Sequence, residues 1–269
     1  MKGVRVFSED LNSHKLINVG VANIYAKASF LSSVVTQGIL GESVTMLAQE
    51  DNWVRIRQWD GYEGWIYHFS LVDVPNGWKP TYAYPGTTGL IYQEPSTDSF
   101  PVRQICAGVQ LPGTRRDDQW ITVQLPDGGQ GYLPREPEKP SSGNIRQDIM
   151  VTAERFLGTS YLWGGKTGFG FDCSGFVQTI FWLNGIPLPR DASQQAGYAH
   201  QLTGRGELQP GDLVFFTTDR RIDHVGIVYD PDRFIHCSGW VRQNSFEESA
   251  GDYNRRLDTI FSAAGRVIQ

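Results

Sequence analysis

A chain of 269 residues with 24 Lys and Arg against 29 Asp and Glu carries a formal charge of −5, so no global positive field draws in nucleic-acid phosphates. At 40% hydrophobic and 12% aromatic it has the material for real cores, which excludes a disordered chain, and its length suits two domains or three small ones. Cys106, Cys173 and Cys237 are odd in number and widely spaced, which fits neither a disulfide framework nor a CxxC zinc site, and no metal is expected.

Met1-Lys2-Gly3-Val4-Arg5 runs straight into Glu9 and Asp10 without an apolar signal segment, and no stretch approaches the roughly 18 apolar residues of a membrane helix. The expectation is a cytoplasmic protein that does not engage a membrane.

The first half repeats itself. Ile24-Tyr25 returns as Ile91-Tyr92, Gln37 as Gln104, Gly41 as Gly108, Asp51 and Trp53 as Asp118 and Trp120, and Asp60, Gly61 and Gly64 as Asp127, Gly128 and Gly131, always 67 residues on. A period of that size is a small domain rather than a solenoid unit. In each copy an alternating run (Trp53–Arg57, Trp120–Gln124) meets an Asp-Gly turn and a second short run, the pattern of short antiparallel strands in a small barrel. At the first of these turns stand Tyr62 and Glu63, where the second copy has Gly129 and Gln130.

Pro134 to Asn144 (PREPEKPSSGN) reads as a linker. Beyond it, Arg146 to Leu157 has helical spacing, a glycine-rich loop (Gly164 to Gly170) leads into Asp172-Cys173-Ser174, and a strongly apolar helix runs to a cap at Asn184-Gly185. The loop lacks the GxxxxGK[ST] spacing of a phosphate cradle, and no nucleotide or other cofactor is implied. Three strands follow, Asp212–Phe216, His224–Tyr229 and Arg233–Cys237, an α+β layout.

Cys173 at a helix N-terminus is placed where unpaired N–H groups and the helix dipole favour a thiolate, and is expected to be ionised; the alternative is a small buried apolar residue. A hairpin centred on Asp230 would put His224 directly opposite His236, close enough to pass a hydrogen bond from ring to ring. A nucleophile, a base and a group that orients the base are the minimum for thiol hydrolysis.

The stretches YLWGG, FDCSGF, LPRDASQQ, GDLVFF, DHVGIV and FIHCSG together resemble the NlpC-type cell-wall cysteine peptidases, and the pattern of the repeats resembles bacterial SH3-like domains. The resemblance implies an α+β multidomain chain: two SH3-like β-barrels at 1–75 and 76–138, then a papain-like cysteine peptidase domain at 139–269. It further implies a γ-D-glutamyl-L-diamino acid endopeptidase that acts on peptidoglycan stem peptides with a free N-terminal L-Ala, in muropeptide recycling, through a thioester. Cys173 would be nucleophile, His224 base and acid, His236 the orienting residue and Tyr161 an oxyanion donor. Asp172 would meet the substrate ammonium and Ser174 a carboxylate, with Asp191, Glu63 and Tyr62 also binding substrate; Trp163 is divided evenly between binding and core packing. A monomer is expected. Two other classes remain: an inert wall-binding module, and an acyl transferase on the same scaffold.

Overall fold

The computed structural model describes residues 5–6, 14–137 and 141–268. Two compact units, Met1–Lys139 and Pro140–Gln269, divide the chain. The expected boundary at 138/139 lies outside the described residues.

The 67-residue period of the sequence is a period of the backbone. In the first copy the sheet runs, neighbour to neighbour, Val34–Ile39, Val21–Tyr25, Glu63–Tyr67, Trp53–Arg57, Ser43–Glu50, His14–Ile17 and Leu71–Asp73. In the second, Pro101–Cys106, Thr88–Tyr92, Gln130–Pro134, Trp120–Gln124 and Gly113–Arg115 follow in the same order. Even the irregularity recurs: the ladder shifts register between Ile24 and Tyr25 and again between Ile91 and Tyr92. Alternation along Trp53–Arg57 buries Val54 and Ile56 against Ile17, Ala22, Ile24, Val44 and Ile66. Gly64 and Gly131 have the same cause, since a Cβ at either would come 2.4 or 2.3 Å from the Ile24 or Ile91 side chain.

In the second unit an antiparallel sheet runs His200–Gln201, Phe261–Arg266, Leu213–Thr218, Arg221–Asp230, Arg233–Ser238, Trp240–Ser245. Among the described residues four α-helices accompany it: α1 (Ile145–Glu154), α2 (Cys173–Leu183), α3 (Ala192–Tyr198) and α4 (Arg255–Ile260). The helix expected over 146–157 stops at Glu154, and the strands Trp240–Ser245 and Phe261–Arg266 and α4 were not apparent from periodicity. Residues Cys173 to Phe181 of α2 are all buried, as an apolar helix enclosed on every side must be. The Asp212 carboxylate, fully buried, accepts from Arg146 at 3.1 Å and from Arg266 at 2.9 and 2.7 Å, which ties α1 to the last strand. No helix among the described residues is long and apolar enough to cross a membrane.

The hairpin that carries the two histidines differs from expectation. Ile227 faces Ile235, Val228 faces Phe234 and Asp230 faces Arg233, with a bulge between Val228 and Asp230. The extra residue at Tyr229 and the tight Pro231-Asp232 turn displace the ladder by two positions from the Asp230-centred arrangement, so His224 and His236 are diagonal neighbours on one face rather than directly opposed. Gly226 makes the diagonal passable: a Cβ there would lie 3.0 Å from the Phe234 ring and 3.2 Å from the His236 Cβ. Gly226→Ala is therefore expected to cost about 1–3 kcal/mol through overpacking and to displace the His236 ring, lowering kcat/KM more than Tm, as paired activity and melting measurements would read.

Candidate active site

Asp172 starts the site by capping α2. Its Oδ1 accepts from the Gly175 N–H at 2.7 Å, and its Oδ2 from the Gly164 N–H at 3.0 Å. Arg190, 1% exposed, closes on it with a two-pronged pair, 3.0 and 2.6 Å, and also reaches the Ser174 hydroxyl at 2.9 Å. The glycine loop abuts the helix itself: a Cβ on Gly175 would sit 2.1 Å from the Gly165 carbonyl oxygen. Glycine is thus required for loop and helix to touch, and the loop locks Cys173 in position.

Cys173 is 8% exposed, and its thiol donates to the Asp223 carbonyl at 3.6 Å. Burial pushes the thiol up to about 12, with the Asp172 carboxylate adding to it, although the Ser174 and Val225 N–H groups pull the other way. The expectation of an ionised sulfur is corrected here: at a buried helix start, desolvation and a neighbouring carboxylate outweigh the N–H groups. The sulfur lies against the backbone on both sides of His224.

From His224 onward the hydrogen bonds fix every proton. The Asn244 amide NH₂ donates to the Asp252 carbonyl at 2.7 Å, which turns its Oδ1 towards His236 Nε2, 2.9 Å away. His236 must therefore carry its proton on Nε2 and offer Nδ1 as an acceptor to His224 Nε2, 2.7 Å away. His224 is left with an unprotonated Nδ1, the acceptor a general base needs. Burial lowers His224 to about 4, with Arg256 and Arg242 adding to it, and lowers His236 to about 3, with His224 adding to it. Burial therefore favours the neutral thiol and the neutral imidazole.

The lowered His236 value has a consequence for stability. Its folded value lies below the unfolded one, so the unfolded chain takes the extra proton; stability is complete above pH 6.5 and lost as pH falls towards 3. Titration of the second unit's unfolding free energy is expected to show a loss of about 3 kcal/mol from this fully buried ring by pH 4.

A cavity of about 300 Å³ opens at this point, lined by Tyr161, Asp223, His224, Cys237 and Arg256 among others. Burial raises the half-buried Tyr161 phenol, with Cys173 and Asp172 adding to it, so it stays a hydrogen-bond donor. Trp163 is 69% exposed, which removes core packing from its two readings. Asp191 starts α3 in a reciprocal capping box with Gln194. In the first unit, Glu63 accepts from Arg55 at 2.8 Å and from Arg57 at 2.9 Å, and the Tyr62 N–H donates to Asp60 at 2.9 Å. All three cysteines are buried and none is in a disulfide among the described residues, and Cys237 donates to the Phe171 carbonyl at 3.2 Å. Among the described residues no group of three or more His, Cys, Asp or Glu could hold a metal ion.

Asn244 went unnoticed in the sequence. It sits one diagonal beyond His236, because His236 faces Arg242 and Phe234 faces Asn244 in the next ladder. Trp240–Ser245 has no clean apolar alternation, so neither the strand nor its inward-facing amide announces itself.

Residues 158–256 match the model of the NlpC/P60 family, and residues 20–70 that of the bacterial SH3 domain. The chain is 31% identical over 75% of its length to a Bacillus cereus protein named gamma-D-glutamyl-L-lysine dipeptidyl-peptidase, of which the match spans 66%. It is 27% identical over 92% of its length, and 97% of the relative's, to dipeptidyl-peptidase 6 of Lysinibacillus sphaericus. A crystal structure of an NlpC/P60 family protein from Bacillus cereus shares the fold over 94% of this chain and 99% of that one, with a TM-score of 0.81 at 23% identity. The chain belongs to the NlpC/P60 family and is a cysteine peptidase whose catalytic unit follows a bacterial SH3 domain.

Proposed function

We propose that the chain hydrolyses the γ-D-Glu–diamino acid bond of peptidoglycan stem peptides whose N-terminal L-Ala is free, and releases the L-Ala-D-Glu dipeptide. The observation that carries the reading is the proton order of the Asn244–His236–His224 chain, which leaves an acceptor nitrogen on His224, the residue whose two backbone neighbours, Asp223 and Val225, meet the buried Cys173 thiol. The names of the relatives, dipeptidyl-peptidases acting at γ-D-glutamyl-L-lysine, supply the bond.

Sulfur attacks the γ-carbonyl carbon while His224 Nδ1 takes the thiol proton; because both groups rest neutral, attack and proton transfer run together. The oxyanion is held by the Tyr161 hydroxyl and the Cys173 N–H at the start of α2. The carbon–nitrogen bond breaks, the imidazolium gives its proton to the leaving amine, and a thioester remains. Water, deprotonated by the same imidazole, then releases the dipeptide and restores the thiol. Asp172 and Ser174, held by Arg190, lie on the acyl side and favour a substrate with an ammonium there; Asp191 and the exposed Trp163 extend that side. Three cysteines without a disulfide suit a reducing compartment, where wall fragments rather than intact wall would be the substrate.

Mass spectrometry of products from L-Ala-γ-D-Glu-L-Lys, free and N-acetylated, tests the reading. Release of L-Ala-D-Glu from the free peptide alone is expected. Equal cleavage of both ends the claim of amine recognition, and cleavage of neither ends the proposed bond.

A further inference from the structure

The chemistry of the leaving group points to an unassigned part of the second unit. Whatever bond is cut, the departing amine must receive its proton from the His224 ring, so the departing residue has to occupy space that adjoins that ring. The 300 Å³ cavity is such a space: His224 lines it, and its volume is at the small end for ligand pockets.

Two exposed charged side chains stand in its wall without partners. Asp223, from the strand Arg221–Asp230, and Arg256, from α4, both line the cavity, and among the described residues neither side chain makes an ion pair or hydrogen bond. Elsewhere in the unit Arg146, Arg190, Arg205 and Arg266 are each paired with a carboxylate. A cavity with one uncommitted guanidinium and one uncommitted carboxylate is complementary to a molecule that carries both a carboxylate and an ammonium. The Asp223 backbone holds the Cys173 thiol, so its side chain is anchored next to the reacting atoms.

We propose that Arg256 and Asp223 form the subsite for the departing diamino acid, Arg256 receiving its carboxylate and Asp223 its side-chain ammonium. The proposal rests on the peptidase reading above and deepens it. The acyl side then recognises the dipeptide around Asp172 and Ser174, while the opposite side reads the diamino acid by its two charges rather than by shape. A residue without the second amine would lose one of the two contacts.

Three tripeptides separate the contacts: L-Ala-γ-D-Glu-L-Lys, the same peptide with a C-terminal carboxamide, and the same peptide with L-norleucine in place of lysine. Arg256→Gln is expected to lose at least about tenfold more kcat/KM on the free acid than on the carboxamide, and Asp223→Asn about tenfold more on the lysine than on the norleucine peptide. Wild-type enzyme should show the same preferences between substrates. Equal losses within each substrate pair, or no losses, would overturn the subsite while wild-type cleavage of the peptides leaves the peptidase reading standing. Failure of the wild-type enzyme to cut any of the three would remove both.

Discussion

A Cys173→Ala chain is expected to hydrolyse its substrate at least about 10⁴-fold more slowly than the wild type and to melt within a few degrees of it. The sulfur donates weakly to the Asp223 carbonyl, meets the Ser174 and Val225 N–H groups, and fills a small space at the start of α2; the fold hangs on the cap of Asp172 and the apolar face behind it. Loss of a buried sulfur from such a place costs about 1 kcal/mol, far less than a lost nucleophile costs the reaction. A rate within tenfold of wild type would place the chemistry elsewhere. Single-turnover measurement adds a second reading: the wild type should accumulate a thioester adduct that mass spectrometry detects after acid quench, and the alanine variant should not.

Arg190→Leu is expected to be the most destabilising single change near the site, at about 3–5 kcal/mol in the unfolding of the second unit. Arg190 supplies two of the bonds that satisfy the Asp172 carboxylate and one to Ser174, in a place that is nearly closed to water. Without it the carboxylate keeps the Gly164 and Gly175 N–H groups and a long bond of 3.3 Å from the Ser174 hydroxyl, and a buried charge is left short of compensation. Arg190→Lys retains the charge but not the two-pronged geometry and should lose less. The decisive comparison is the double variant with Asp172→Asn, which removes the stranded charge; denaturant unfolding should show it to be more stable than Arg190→Leu alone. If the double variant were the less stable, Arg190 would be holding the fold through its packing and not through this ion pair.

Much of this architecture could be read from residues. The duplication was legible because it carries no insertion: each paired strand keeps its place at 67 residues, including the ladder shift after Ile24 and Ile91. Cys173 at a helix start, and two histidines on one hairpin, were legible because helix caps and strand alternation leave local marks. What was not legible depends on bulges and burial. The bulge at Tyr229 and the tight Pro231-Asp232 turn together move the ladder by two residues, and the bulge leaves no trace in composition. The ionisation of Cys173 was misjudged because a helix N-terminus is visible in sequence, whereas Asp172 held beside the sulfur and the depth of burial are not. Glu63 shows the same limit in the first unit. Its sequence contrast with Gln130 is plain, but Arg55 and Arg57 flanking it, where the second copy has Thr122 and Gln124, become meaningful only once the strands pair. Asn244 and Arg256 lie in a strand and a short helix that weak periodicity hides.

The two-position displacement of the histidine hairpin works as a parity rule. Because it is even, both imidazoles still project from the same side of the sheet, and a ring of ordinary reach spans the offset. Lengthening or shortening the Pro231-Asp232 corner by a single amino acid would send His236 and everything after it to the reverse side, where the protons have no route to His224. Unless a further bulge takes up the difference, as Tyr229 does here, the corner can change only in steps of two without disconnecting the base from its support.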